Sequence, residues 1–233
     1  PILWVLAKGG ESGGRTSCGG GCPGNLSPAG GGLADDTRMH AAKRASALTI
    51  APARGPVELV TDGEHMERVV RKGILSARVS LDIATADFKA LLVPGGRSGG
   101  GRGRARSIVE HLRQLSERVE VRLLHSGVPS VAVLAELRRG LPDRVQIRRC
   151  PRLHAKVVIV DCAAMYLGSA NLTGAGLGAK ADRRRNFELG IWTQSASLID
   201  GALESFNAIW EGRHCPSCGR RNICPVPLES PAL

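Results

Sequence analysis

After residue 56, the apolar residues of this chain switch repeatedly between helical and strand spacing. The apolar residues from Met66 to Ile74 recur as on one face of a helix, and Val79, Leu81 and Ile83 then alternate as in a strand. Further helical patterns lie at 108–115, from Pro129 and at 198–209, and further strand patterns at 119–124, 144–149, 155–160, 165–168 and 187–193. This order predicts an α/β fold in which a mixed β-sheet is flanked by helices.

Composition divides the chain into three parts. Residues 1–55 are rich in glycine, alanine and small polar residues, which predicts a mostly disordered N-terminal arm. Residues 56–212 are expected to form one folded domain, and residues 213–233 a cysteine-containing tail. Cys18 and Cys22 in the arm have no two further ligands nearby, so we expect free thiols there.

The segment 94–106, PGGRSGGGRGRAR, combines glycine with four arginines and predicts a mobile loop. One interpretation is a clamp on a phosphate backbone, for which Arg102 and Arg104 are candidate contacts. The other is a solvated insertion, which the absence of aromatic residues for base stacking favours.

The charge of the chain restricts its partners. Its formal net charge is +11, and only six of its 32 basic residues are lysines. Such a charge attracts polyanions, and arginine suits bidentate contacts to phosphate, so nucleic acid or an anionic membrane surface is the expected partner. A coding bias towards arginine explains the composition equally well. Seven scattered cysteines argue against a secreted disulfide framework, and we expect a cytoplasmic protein with no membrane anchor.

The most informative segment contains His154-x-Lys156, then Asp161, then Gly168-Ser169-x-Asn171. Residues two apart in a strand project from the same face, so the two polar pairs can converge on one anion. A neutral imidazole can attack phosphorus, while an ammonium, a hydroxyl and an amide stabilise the phosphoryl oxygens. This chemistry requires no metal.

This spacing resembles the HxKxxxxD signature of the phospholipase D superfamily, followed by the GSxN element of that family. The resemblance implies that His154 is the nucleophile and forms a covalent phosphohistidine. It also implies that Lys156, Ser169 and Asn171 bind phosphate and that Asp161 is a structural anchor. The motif Asn186-Phe187-Glu188 resembles the family element whose glutamate holds the nucleophilic histidine, which makes Glu188 the candidate for that role. The motifs span about 154–191, and the family fold would extend over roughly 57–212.

Family chemistry uses two such motifs, because a second histidine protonates the leaving oxygen, and this sequence contains one. The resemblance therefore implies a homodimer in which a two-fold axis brings both copies of His154 to one phosphate. Similar single-motif proteins include small bacterial nucleases and components of phage-defence and restriction systems, which suggests further subunits as partners.

Three functions remain open: a metal-independent endonuclease acting on DNA or RNA, a phospholipid hydrolase or transphosphatidylase, and a catalytically silent nucleic-acid-binding subunit. Composition favours the nuclease. Arg183, Arg184 and Arg185 lie between Asn171 and Glu188 and are candidates for holding flanking phosphates, or form a solvated basic turn.

The C-terminal tail carries His214, Cys215, Cys218 and Cys224. A C-x2-C pair with a third cysteine nearby suits zinc, but His214 adjoins Cys215 and hardly reaches the same ion. We therefore expect either a structural zinc, whose fourth ligand comes from Cys150, Cys162 or a partner, or reduced thiols with no cofactor.

Overall fold

The computed structural model of the chain describes residues 56–95, 97–98 and 101–230, with the backbone alone at 97–98 and 101–102. The predicted N-terminal arm, with Cys18 and Cys22, lies outside the described residues. Within these residues, the longest element is a C-terminal helix, and no helix is long and apolar enough to cross a membrane.

A mixed sheet of seven strands forms the centre of the described part. Its strands are β1 (Val57–Thr61), β2 (Ser80–Thr85), β7 (Glu120–His125), β8 (Val145–Arg149), β9 (Val157–Val160), β10 (Ala164–Gly168) and β11 (Leu189–Thr193). Their order across the sheet is β1-β11-β10-β9-β2-β7-β8. β7 is parallel to both β2 and β8, whereas every other neighbouring pair is antiparallel. The prediction of a mixed sheet is confirmed.

Helices cover both faces of this sheet. The helices are α1 (Ile108–Leu115), α2 (Val131–Leu137), α3 (Ala196–Trp210) and a π-helical turn at Met66–Arg71. One face packs with the π-helical turn, α1 and α2 into a single apolar cluster, and the opposite face packs against α3. Ser107 caps α1, since its hydroxyl accepts the amide of Glu110 at 3.0 Å. The helix-flanked sheet that the sequence predicts is therefore present.

β2 differs from the alternating pattern expected of its sequence. Val79 lies before the strand and is 67% exposed, whereas Leu81 to Thr85 are buried without alternation. The strand lies between β7 and β9 in a sheet covered on both faces, and a strand in that position has no solvent-facing side. The central position predicted for the Val157–Val160 strand is confirmed.

The segment expected to be a glycine-rich loop contains short paired strands. β3 (Leu92–Val93) pairs with β6 (Arg106–Ser107), and β4 (Arg97–Ser98) pairs with β5 (Gly101–Arg102). The segment is therefore a hairpin-like projection in its described parts, and Arg104 is exposed on it.

The described part of the C-terminal tail packs on the domain. The amide of Arg149, at the end of the edge strand β8, donates to the carbonyl of Glu229 at 2.9 Å, and the two side chains form an ion pair at 2.7 Å. Leu228 contacts the cluster that contains Phe206 and Trp210 of α3. The tail thus borders the turn between β8 and β9.

Candidate active site

His154 and Lys156 lie together immediately before β9. His154 is exposed to solvent, and the ammonium of Lys156 lies 3.3 Å from its Nδ1 atom and 3.2 Å from its Nε2 atom. Nζ of Lys156 also donates to the carbonyl oxygen of His154 at 2.7 Å. An ammonium has three N–H groups, so at least one remains for an anion beside the imidazole.

Lys156 is only 8% exposed, and its surroundings act on its charge in opposite directions. Burial lowers the pKa of its ammonium from the ordinary value of 10.5, while the carboxylates of Glu188 and Asp87 oppose that shift. Two carboxylates from separate segments are therefore close enough to act on this ammonium. Asp87 was not among the expected site residues, and only the fold brings it here.

The glycine-serine element follows β10 and lies beside Lys156. The amide of Gly168 donates to the carbonyl of Lys156 at 3.2 Å, which continues the β9–β10 ladder to the site. Ser169 was expected to donate to phosphate, but its hydroxyl donates to Glu188 Oε2 and accepts the amide of Leu189 at 3.0 Å. Ser169 therefore connects β10 to β11.

The hydrogen bonds of Glu188 lie in the loop around Ser169. Its Oε1 accepts the side-chain amide of Asn186 at 2.9 Å, its Oε2 accepts Ser169, and its own amide donates to Asp62 at 2.9 Å. Within the described residues, no hydrogen bond joins Glu188 to His154. The carboxylate instead orders the loop around Ser169 and contributes negative charge near Lys156.

Asn171 has its side chain oriented by the turn that follows β2. Its Oδ1 accepts the amides of Ala86 at 3.1 Å and Asp87 at 3.0 Å, together with the hydroxyl of Thr85 at 3.3 Å. Because the carbonyl oxygen is occupied, the NH2 group is the part of the side chain left to donate to a substrate. Asn171 is therefore placed as an amide donor at the end of β2.

Asp161 lies at the opposite end of β9 from His154. Its Oδ1 accepts the backbone amides of Arg78 at 3.0 Å, Val79 at 2.7 Å and Ser80 at 3.0 Å. These bonds fix the entry to β2, and Asp161 itself adopts a φ of 53°. Its contacts are those of an anchor and not of a proton carrier.

A buried tyrosine next to the Gly168–Asn171 segment was not predicted from the sequence. The hydroxyl of Tyr166 accepts the amide of Ala170 at 3.2 Å and lies 2.9 Å from Nε2 of His65, and burial raises its pKa to about 12. Gly168 and Gly190 pair in register beside it, and a Cβ at either position would approach the Tyr166 ring or hydroxyl to 2.3 Å. Both glycines are therefore required by the close approach of this side chain.

The candidate arginines are not equivalent. Arg183 and Arg184 are exposed in a 3-10 turn at Asp182–Arg184, whereas Arg185 is half-buried and forms an ion pair with Asp182. Of these three arginines, Arg183 and Arg184 are exposed to solvent, whereas the charge of Arg185 is paired.

The chain is similar to known proteins in its family and in its fold. A family model described as the cardiolipin synthase, PLD-like domain matches residues 70–210. No curated protein matches the chain. Nuc from Salmonella typhimurium, a phospholipase D family member, aligns with a TM-score of 0.51 and 21% identity, over 68% of this chain and 95% of that one. NucT from Helicobacter pylori aligns with a TM-score of 0.50 and 18% identity, over 68% and 97%. At these identities the two structures support the fold.

Proposed function

Because this chain belongs to the phospholipase D superfamily, through its cardiolipin synthase, PLD-like domain, we propose that it is a phosphodiesterase that cleaves nucleic acid without a metal ion. The observation that carries the proposal is the contact between an exposed imidazole and a buried ammonium, with an oriented amide at the end of the neighbouring strand β2. This set supplies a nucleophile and two groups that stabilise charge on phosphoryl oxygens.

The reaction proceeds in two displacements. A ring nitrogen of His154 attacks phosphorus, the N–P bond forms, and the P–O bond to the leaving group breaks while a second imidazole protonates the leaving oxygen. Water then attacks the phosphohistidine, gives its proton to that second imidazole, and releases a phosphate monoester and neutral His154. Lys156 and the NH2 group of Asn171 stabilise the non-bridging oxygens in both steps.

We further propose that the second imidazole is His154 of a second copy. Leu59 of β1 and Leu167 of β10 flank Ile191 of β11 in register, so the three side chains form one row on one face of the sheet. Phe187, next to Glu188, is 96% exposed. The exposed side chains here, called the apolar strand face below, are Val57, Leu59, Leu167, Phe187 and Leu189. Exposed apolar surface beside an incomplete site supports a partner of the same kind covering it.

Charge supports nucleic acid as the substrate. The net charge of +11 favours a polyanion, and Arg183 and Arg184 present exposed guanidinium groups in the loop between Asn171 and Glu188. Such groups hold phosphates that flank the scissile one without reading sequence. DNA and RNA are both included in the proposal. The proposal includes other subunits of a phage-defence or restriction system as partners of this enzyme.

A phospholipid substrate is the second candidate, and an apolar cavity favours it. This cavity, of about 580 Å³, lies between α3 and the sheet, and Leu153 and Ala155 on either side of His154 line it. A cavity of this size and lining can hold acyl chains. The matched family also takes its description from cardiolipin synthase.

The deciding experiment offers labelled single- and double-stranded DNA and RNA to the purified chain in EDTA. We expect cleavage by the wild type and a loss of roughly 10³-fold or more in His154→Ala, because the nucleophile is removed. His111→Ala, a half-buried histidine on α1, is the matched control and should cleave normally. Cleavage that survives in His154→Ala would eliminate the assigned nucleophile.

The alternatives are separated in the same preparation. Release of headgroup from phosphatidylcholine or cardiolipin vesicles, with nucleic acid left intact, would favour the phospholipid hydrolase. Binding of nucleic acid without turnover would favour a catalytically silent subunit, and that binding should weaken steeply with salt.

The dimer has its own test. Leu59→Asp with Leu189→Asp places charge on the apolar strand face, and we expect sedimentation to report a monomer without cleavage activity. Val131→Asp, which alters an exposed apolar residue of α2, is the control and should leave a dimer. An active monomer would remove the second copy from the mechanism.

A further inference from the structure

Four cysteines from two distant parts of the chain border one small cavity. Cys150 follows β8, whereas Cys215, Cys218 and Cys224 belong to the C-terminal tail, and all four line the cavity. Its volume is about 30 Å³. That is room for an ion or a water molecule and far below the roughly 300 Å³ of a pocket for an organic ligand.

The backbone of the tail places Cys215 and Cys218 in one turn after α3. The amide of Cys218 donates to the carbonyl of Cys215 at 3.2 Å, and the amide of Cys215 donates to the carbonyl of Gly212. Gly212 has a φ of 72°, which reverses the chain after α3. The backbone amide of Arg220 hydrogen-bonds the sulfur of Cys218. Cys224 and Cys150 line the same cavity. The turn at 215–218 thus brings two cysteines to the cavity that Cys150 and Cys224 also line.

The charges around the cavity complement a thiolate cluster. Four thiolates around a divalent cation leave a net negative charge, which burial penalises unless positive groups lie nearby. Arginines from both sides line the same cavity: Arg149, Arg152, Arg220 and Arg221. Arg220 also donates to the carbonyl of Pro151 at 3.1 Å, so the tail and the turn already contact each other.

We propose that Cys150, Cys215, Cys218 and Cys224 bind one structural Zn²⁺ ion. Four thiolates in tetrahedral geometry are a ligand set typical of zinc in structural sites. Within the described residues, no group of three or more His, Cys, Asp or Glu side chains is already arranged to hold a metal ion. We therefore expect the four sulfurs to move together when the ion binds. Neutral thiols do not attract one another, so without the ion nothing draws all four to within about 2.3 Å of one central point, which is the Zn–S distance.

The site would connect the tail to the active-site strand. Cys150 begins the turn that leads through Leu153 to His154, and the amide of Leu153 donates to the carbonyl of Cys150 at 2.9 Å. The sequence left Cys150, Cys162 or a partner protein as the source of the fourth ligand. Of these, Cys150 lines the cavity. Cys162 lies in the turn after β9, with its sulfur 3.8 Å from the hydroxyl of Ser80.

The test is metal analysis of the full chain, purified with reductant and without chelator. We expect one zinc ion per chain in the wild type and in Cys162→Ser, the matched control, and little zinc in Cys150→Ser or Cys224→Ser. Cys150→His should retain a metal, and Co²⁺ in this variant should have a visible spectrum different from that of the wild type, because one sulfur ligand is replaced by nitrogen. Wild type without metal, iron in place of zinc, or full zinc content in Cys150→Ser would each overturn the assignment.

A second measurement on the wild type avoids variants that fail to fold. Zinc should protect four cysteines from alkylation by a maleimide reagent, and a strong chelator should make all four reactive while the unfolding temperature falls. Protection that persists after chelation and is lost only with reductant would identify disulfides and overturn the proposal. These readouts do not depend on substrate cleavage, so they stand apart from the test of the active site.

Discussion

The two ends of β9 carry parts of the same sequence motif in opposite surroundings. Before the strand, His154 is exposed and Lys156 contacts its ring, with one N–H group left for an anion. After the strand, the carboxylate of Asp161 is occupied by three backbone amides at the start of β2. At about 3.3 Å per residue, the strand separates His154 from Asp161 by roughly 20 Å.

This difference teaches that a linear motif is not itself a site. Its spacing reflects one strand, with the proposed reactive residues at one end and a carboxylate that binds backbone amides at the other. Substitutions at the first end should change turnover with little effect on folding, and substitutions at the second end should do the reverse.

The largest effect is expected at the reactive end. Lys156→Met removes the ammonium beside His154, and we expect kcat to fall roughly 10²–10³-fold, because one charge-stabilising group is lost. Lys89→Met, which removes an exposed lysine paired with Asp87, is the control and should stay near wild type. A Lys156→Met enzyme with normal kcat would show that this end of β9 is not the reactive one.

Asp161→Ala should destabilise the fold and spare the chemistry. Losing a carboxylate that accepts several amides should lower the free energy of unfolding by about 2–3 kcal/mol, measured by urea titration. Turnover per folded molecule should remain normal, and Asp200→Ala, exposed on α3, should change neither quantity. Inactive but stable Asp161→Ala would reverse the roles assigned to the two ends.

The pH dependence sharpens the assignment of Lys156. Burial lowers the pKa of its ammonium below 10.5. Only the charged form stabilises phosphoryl oxygens, so the cleavage rate should fall as the pH rises, and the fall should begin below pH 10.5. In the window between the folded and unfolded pKa values the unfolded chain binds more protons, so this group makes the fold more stable as pH rises. Lys156→Arg keeps its charge and should move the decline to higher pH. Identical alkaline limbs in the two enzymes would assign the decline to another group.

The smallest effect is expected from the exposed arginines of the loop between Asn171 and Glu188. In an inactive His154→Ala background, replacing Arg183 and Arg184 by alanine should reduce the salt dependence of nucleic-acid binding by about 0.7–0.9 in slope per lost phosphate contact. The control replaces Arg138 and Arg139, two consecutive exposed arginines at the end of α2, and should leave the slope unchanged. An unchanged slope would identify the loop as a solvated basic turn.

The sequence predicted elements better than contacts. The helical spacing at 108–115 and the apolar run of β9 correspond to observed elements, since both patterns are local. The interaction of Glu188 with Ser169 in place of His154, and the support from Tyr166 and His65, depend on strands far apart in the chain. Such pairings have no fixed spacing that a single sequence can reveal.

The sequence by itself determined the alternation of helices and strands and the spacing that puts His154 and Lys156 on one side of an extended segment. Both follow from the periods of secondary structure, which act over a few residues. Only the tertiary structure decided that Asp87 and Glu188 act on Lys156, that Asn171 has its carbonyl occupied, and that Cys150 meets the tail cysteines. These contacts depend on strand order and on packing between distant segments, and it is burial that fixes which groups meet.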